Sequence, residues 1–167
     1  MLKLINNLQA FFEDNYTRIH VRAYAKQINI TPPTASKLLE EYFSEGLLKK
    51  EVDKQYNYYF ANKESALFKD LQRTYWRAKL EPLINHINNN TITPIIILFG
   101  STAKGELHKE SDIDIAIITP TKKEIDFISI ETIIQRRIQA FTFSKLEDIP
   151  KELQNNILNG QIIGGMW

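Results

Sequence analysis

The 167-residue chain contains no cysteine. That excludes disulfides and thiolate metal sites and leaves the redox compartment undecided. No apolar run approaches ~20 residues, so no transmembrane helix is expected. Charge of one sign is also missing: 21 Lys and Arg stand against 20 Asp and Glu, for a net charge of +1. No global basic field points to nucleic acid, and any such surface has to be a local patch. Internal repeats and low-complexity tracts are absent. The three histidines, His20, His86 and His108, show no metal-ligand spacing and read as structural. What remains is an ordinary globular composition, 43% hydrophobic and 25% charged, enough to bury real cores in one domain or two small ones. The opening MLKLINNLQAFFEDN carries acidic residues by position 13 and no small-residue cleavage site. It reads as an amphipathic helix and not as a signal peptide, so the cytoplasm is the expected location.

Apolar residues Leu2, Leu4, Ile5, Leu8, Phe11 and Phe12 recur at helical spacing and predict a first helix near 2–14. A short second helix fits 20–27, with Val21, Tyr24, Ala25 and Ile28 inward. Thr31 followed by Pro32-Pro33 is a helix start, and Gly46 a helix stop. The third helix is therefore placed at 32–45, burying Ala35, Leu38, Leu39, Tyr42 and Phe43. The runs LLKKEV and QYNYYFA flank Asp53-Lys54 and predict a two-stranded hairpin. Helical spacing returns from Asn62 to about Asn89, with Pro82 kinking that stretch or starting a new helix. The second half reads strand (94–99), short helix (101–106), strand (113–119), helix (about 123–136), strand (137–143) and helix (about 147–158). The alternation fits a small α/β sheet.

The segment 1–62 resembles the winged helix-turn-helix domains of small prokaryotic regulators, through the core VRAYAKQINITPPTASKLLEEYFSEGLL. The resemblance implies three helices plus a β-hairpin, with the third helix in the major groove of double-stranded DNA and the wing on the backbone or minor groove. Carried onto this chain, Thr31, Thr34, Ser36 and Lys37 would face DNA. Arg18, Arg22, Lys49, Lys50 and Lys54 would meet phosphates. Winged helices also serve as protein-interaction or dimerisation modules. Glu40, Glu41, Glu45, Glu51 and Asp53 keep the charge balance of this one weak. A homodimer is expected because such regulators usually read two half-sites.

The most informative stretch is ILFGSTAKGELHKESDIDIAII, residues 97–118. A strand delivers Gly100-Ser101 to a helix start, where glycine allows close approach and N–H groups point at anions. Asp112 and Asp114 follow in a strand, one residue apart, with both side chains on one face. Two parallel carboxylates repel unless a cation lies between them, and Mg²⁺ takes carboxylates and substrate phosphates together. The competing reading is that Asp112 caps a turn and Asp114 pairs with a lysine.

The ordered set Phe99-Gly100-Ser101, then Ser111-Asp112-Ile113-Asp114, closely resembles the signature of the polymerase-β-like nucleotidyltransferase superfamily. Ala103-Lys104-Gly105-Glu106 also fits its minimal members. The resemblance covers residues 93 to about 165. Together the two resemblances imply an overall two-domain α+β chain: a winged helix-turn-helix domain at 1–62, a connector helix at 63–90, and an α/β nucleotidyltransferase domain with a small mixed sheet at 91–167. The second also implies roles. Gly100, Ser101, Lys104 and Ser111 would bind a nucleoside triphosphate, with ATP the expected one. Asp112 and Asp114 would be the catalytic pair, holding two Mg²⁺ ions that clamp attacking and leaving oxygens.

The family's third acid, on a later strand, falls here on Gln139, which cannot act as a base. Glu106 and Glu131 are candidate substitutes. Minimal nucleotidyltransferases resemble the antitoxin half of a toxin–antitoxin pair, and often transfer AMP to a hydroxyl of a partner protein. The alternative is a regulator whose degenerate catalytic domain senses nucleotide or a partner. The tail LQNNILNGQIIGG resembles the tails of the same small proteins, and Asn156, Ile157 and Gly160 in it read as structural.

Overall fold

Turn residues set the chain direction through the first half. The computed structural model describes residues 2–121 and 124–166. The chain divides into two units. The first comprises residues 1–75 with Leu107–Lys109, and the second comprises 76–106 with 110–167.

The first unit begins with two short helices, α1 (Leu2–Asn7) and α2 (Gln9–Glu13), not the single helix expected over 2–14. Leu8 lies between them at φ −87 and ψ 0, and its carbonyl accepts from the N–H groups of both Phe11 and Phe12. Ile5, Leu8, Phe11 and Phe12 are buried across the break. A two-residue strand that the sequence pattern missed, β1 (Ile19–His20), leads into α3 (Val21–Gln27). Next comes α4 (Pro32–Ser44), which starts on the prolines. Gly46, at φ +72, lets the chain leave it. Strands β2 (Leu48–Asp53) and β3 (Tyr56–Ala61) form the hairpin, and β1 adds to β3, giving the antiparallel order β1-β3-β2.

Ala35, Leu39 and Tyr42 form the buried stripe of α4. Phe43, expected inside, is 43% exposed. It lies at the edge of that stripe, with the Lys50 ammonium 5.9 Å from its ring centroid. Helix α5 (Ala66–Lys79) closes this unit, and the division falls within it. Gln72, buried, donates to the Phe12 carbonyl and to Asn15 Oδ1. Asn15 Oδ1 also accepts from the Leu107 N–H at 2.9 Å, and the Asn15 N–H donates to the Leu107 carbonyl at 2.8 Å.

Pro82 starts a new helix in the second unit, α6 (Glu81–Asn90). Then follow β4 (Ile95–Phe99), α7 (Gly100–Lys104), β5 (Ile113–Ile118), α8 (Ile128–Ile134), β6 (Ile138–Phe143), α9 (Lys151–Leu158) and β7 (Gln161–Gly164). The sheet order is β6-β5-β4-β7. Strand β4 is antiparallel to both β5 and β7, whereas β5 and β6 are parallel. A parallel pair needs a crossover, and α8 lies on it.

Two expected helices are shorter. Residue 123 lies outside the described residues, and α8 starts at Ile128, where the Asp126 carboxylate accepts from its N–H and turns the chain. Pro150 splits the expected 147–158 helix into a 3-10 turn (Leu146–Asp148) and α9. One sheet face carries Ile97, Phe99, Ala116 and Ile118 against Ile149 and Ile157. Because Phe99 pairs with Asp114 and Asp114 with Gln139, that face ends in the motif residues. The result is an α+β architecture: a helical part with a three-stranded antiparallel sheet, then a mixed four-stranded sheet.

Candidate active site

Strand β4 runs apolar to its last residue, Phe99, and Gly100 then turns the chain into α7. Gly100 sits at φ +69, a left-handed conformation open mainly to glycine. Gly105 at φ +72 ends the helix, with the Glu106 N–H returning to the Ser101 carbonyl at 3.0 Å. Across the sheet, Asp114 is the second residue of β5. Asp112, expected within the strand, lies one residue ahead of it, exposed. The strand starts where the Ile113 N–H bonds to the Arg137 carbonyl at 2.8 Å.

Among the described residues neither aspartate forms an ion pair, so no lysine neutralises Asp114. Burial pushes the half-buried Asp114 carboxyl above its ordinary range, and the neighbouring Asp112 charge pushes it the same way. Among the described residues no group of three or more His, Asp or Glu could hold a metal. Asp112 and Asp114 are the two carboxylates at this end of β5, oxygen donors of the kind that a hard divalent cation takes. The absence of a side chain at Gly100 is what leaves the Asp114 carboxylate its room.

Phe99, Gly100, Ser101, Lys104, Glu106 and Asp114 line one cavity of about 380 Å³ together with Gln139, Phe141, Leu153 and Asn156. Ser111 and Asp112 do not line it. The Asp114–Gln139 register puts glutamine beside the acid where the motif leads one to expect a third carboxylate. Of the two candidate substitutes, Glu106 lines the cavity. Glu131 is committed elsewhere, accepting from the Ile138 N–H at 2.7 Å.

Two features were not legible as site residues. Arg136 is 9% exposed and donates to the Ser111 carbonyl at 2.9 Å, holding the segment just ahead of Asp112. Its guanidinium also lies 5.7 Å from the Trp76 ring centroid. In sequence it is one of two adjacent arginines with no motif around it. Asn156, read as structural, lines the cavity from α9. Among the described residues its side chain makes no hydrogen bond that competes for it, whereas Gln154 and Asn159 on the same helix end donate to backbone carbonyls.

In the first unit, the start of α4 presents Thr31, Thr34 and Lys37 exposed, with Ser36 half-buried. The Thr31 and Thr34 hydroxyls share a hydrogen bond of 2.9 Å. Three of the basic side chains are paired: Arg18 with Glu51 at 3.0 Å, Lys49 with Glu64 at 2.7 Å, and Lys50 with Glu40 at 2.5 Å. Arg22, Lys37 and Lys54 form no ion pair among the described residues and are exposed. The histidines have local partners. His20 Nδ1 accepts from the Ala23 N–H, His86 Nε2 bonds to the Asp126 carbonyl, and His108 stacks on Tyr16 at 4.0 Å.

Residues 81–164, half of the chain, match the family described as Polymerase beta, Nucleotidyltransferase. No family match covers residues 1–80. No curated protein and no solved structure matches the chain. Among the described residues no helix is long and apolar enough to cross a membrane.

Proposed function

Because the chain belongs to the Polymerase beta, Nucleotidyltransferase family, we propose that it moves a nucleoside monophosphate, AMP by preference, from a triphosphate to an acceptor hydroxyl. The observation that carries this reading is the shared cavity of Gly100, Ser101 and Asp114, with Asp112 one residue ahead of the strand. Asp112 and Asp114 would hold divalent metal, which supplies charge neutralisation for the phosphoryl oxygens. Gly100 and Ser101 receive the triphosphate end at a helix start, and Lys104 adds a cation beside it. The acceptor oxygen forms a bond to the α phosphorus as the bond from that phosphorus to the β-bridging oxygen breaks. Pyrophosphate leaves. The acceptor's proton passes to Glu106, the one other carboxylate lining the cavity.

The first unit is proposed to bind double-stranded DNA through the exposed start of α4 and through Arg22, Lys37 and Lys54. Such binding fits an antitoxin-like protein that represses its own operon as a homodimer and modifies a partner protein. A second reading rests on Gln139. A neutral amide beside Asp114 suits a regulator that binds Mg²⁺ and nucleotide without turnover.

One experiment separates them. The purified chain and an Asp112→Asn/Asp114→Asn double variant are incubated with Mg²⁺, α-labelled triphosphates and host lysate. Label on a macromolecule with the native chain alone establishes transfer and identifies nucleotide and acceptor together. No label, but Mg²⁺-dependent triphosphate binding that the double variant loses, establishes the sensor. Absence of both overturns the two readings.

A further inference from the structure

The cavity lining is of two chemical kinds. Gly100, Ser101 and Lys104 suit phosphate, but Phe99, Phe141 and Leu153 do not. The Phe99 and Phe141 rings pack 5.8 Å apart at 51°, and with Leu153 they make up the apolar part of the lining. Two amides line the cavity with them: Gln139, in register beside Asp114, and Asn156 from α9. An apolar lining with an amide that both donates and accepts suits a heterocyclic base.

Of the amides on and beside α9, Asn156 is the one that reaches the cavity. Gln154 is spent on the Ile149 carbonyl at 3.0 Å and Asn159 on the Asn155 carbonyl at 2.7 Å. Asn155 does not line the cavity. The helix is anchored on its other side by Ile157, fully buried against the sheet face that carries Phe99.

We propose that Asn156 reads the nucleobase of the bound triphosphate, and that the base is adenine, paired through its exocyclic amino group and an adjacent ring nitrogen. An asparagine amide meets that edge in bidentate fashion. The proposal rests on the nucleotide-binding reading of the cavity, its preference for AMP included, and adds the residue that reads the base.

The test is calorimetric titration of the full chain with Mg²⁺ and the four α,β-methylene triphosphates, which bind without turnover. The native chain is expected to prefer the ATP analogue by about tenfold or more, the discrimination typical of one bidentate contact. Asn156→Leu is expected to bring the four affinities together. Asn156→Asp, which can only accept, is expected to turn the preference toward the GTP analogue, whose base edge offers two donors. Position 156 is exposed, so both variants should melt like the native chain. A native preference for another base, or a preference that neither variant changes, overturns the assignment of Asn156 and leaves the nucleotidyltransferase reading standing. A native chain that binds none of the four overturns both.

Discussion

Gly100 and Asp114 share a space that only one of them can fill with a side chain. A Cβ built on Gly100 would approach the Asp114 Cγ to 2.9 Å and overlap a carboxylate oxygen. The glycine is also at φ +69. Both constraints act at the junction of β4 and α7, where Phe99 pairs with Asp114 across the sheet.

Gly100→Ala is expected to fail twice. The left-handed backbone costs a residue with a Cβ about 1–3 kcal/mol, and relief of the overlap displaces Asp114. Mg²⁺-dependent triphosphate binding should fall by about a hundredfold or more, a binding loss of ~3 kcal/mol. A melting curve and a titration on the same sample read the two effects. An alanine variant that binds as the native chain does would show that the Asp114 position is not critical.

The raised carboxyl of Asp114 gives a pH signature with a definite sign. Burial and Asp112 lift its folded pKa above the unfolded one, so within that window the native state binds the extra proton. The native state is therefore favoured below the unfolded pKa. It loses that advantage as pH rises toward the folded pKa, and carries the full penalty above it. Asp114→Asn removes the penalty. Thermal melts should show the variant more stable than the native chain at neutral pH, with the gap closing as pH falls through the carboxylate range. Added Mg²⁺ should raise the melting temperature of the native chain and leave the variant unmoved.

Arg136 is a positioning residue. Its bond to the Ser111 carbonyl comes from a buried charged group, and such bonds are worth about 1.5–3 kcal/mol. Arg136→Met keeps most of the volume and should lose about that much stability. It should also weaken Mg²⁺ binding, while Arg136→Lys recovers part of the Mg²⁺ effect. Equal Mg²⁺ affinity in the methionine variant would reduce Arg136 to a packing role.

The ion pairs of the first unit separate free cations from spent ones. If the unit binds DNA, Lys37→Ala and Lys54→Ala should each lower the slope of log affinity against log salt by about 1. Lys49→Ala should change it less, because Glu64 already holds that ammonium. Fluorescence anisotropy over a salt series reads this directly. A salt-independent signal, or none, would favour a dimerisation role for the unit.

Some of this was legible in the chain. Pro32-Pro33, Gly46 and Pro82 set helix ends by backbone geometry alone, and those ends stand where expected. Asp114 is of a type dear to bury and poor in strands, so its place in an apolar run pointed to a candidate site, and Gly100 and Ser101 line the same cavity. Helix lengths were less legible. Leu8, Asp126 and Pro150 each interrupt a helix, and at Leu8 no breaker residue signals it.

The sequence by itself determined the local rules: where helices stop, which strands are apolar, and that two acids follow a glycine-serine turn. Those follow from backbone dihedrals and from the cost of placing charge among apolar residues. Only the tertiary structure decided which distant residues meet. The parallel register brought Gln139 beside Asp114, and the crossing of α9 brought Asn156 to the cavity. The fold also placed Arg136 under Ser111, and let Asn15 satisfy both the N–H and the carbonyl of Leu107. Partners this far apart in the chain have no local spacing to betray them. The need to satisfy buried polar groups settles such pairings only once the chain has packed.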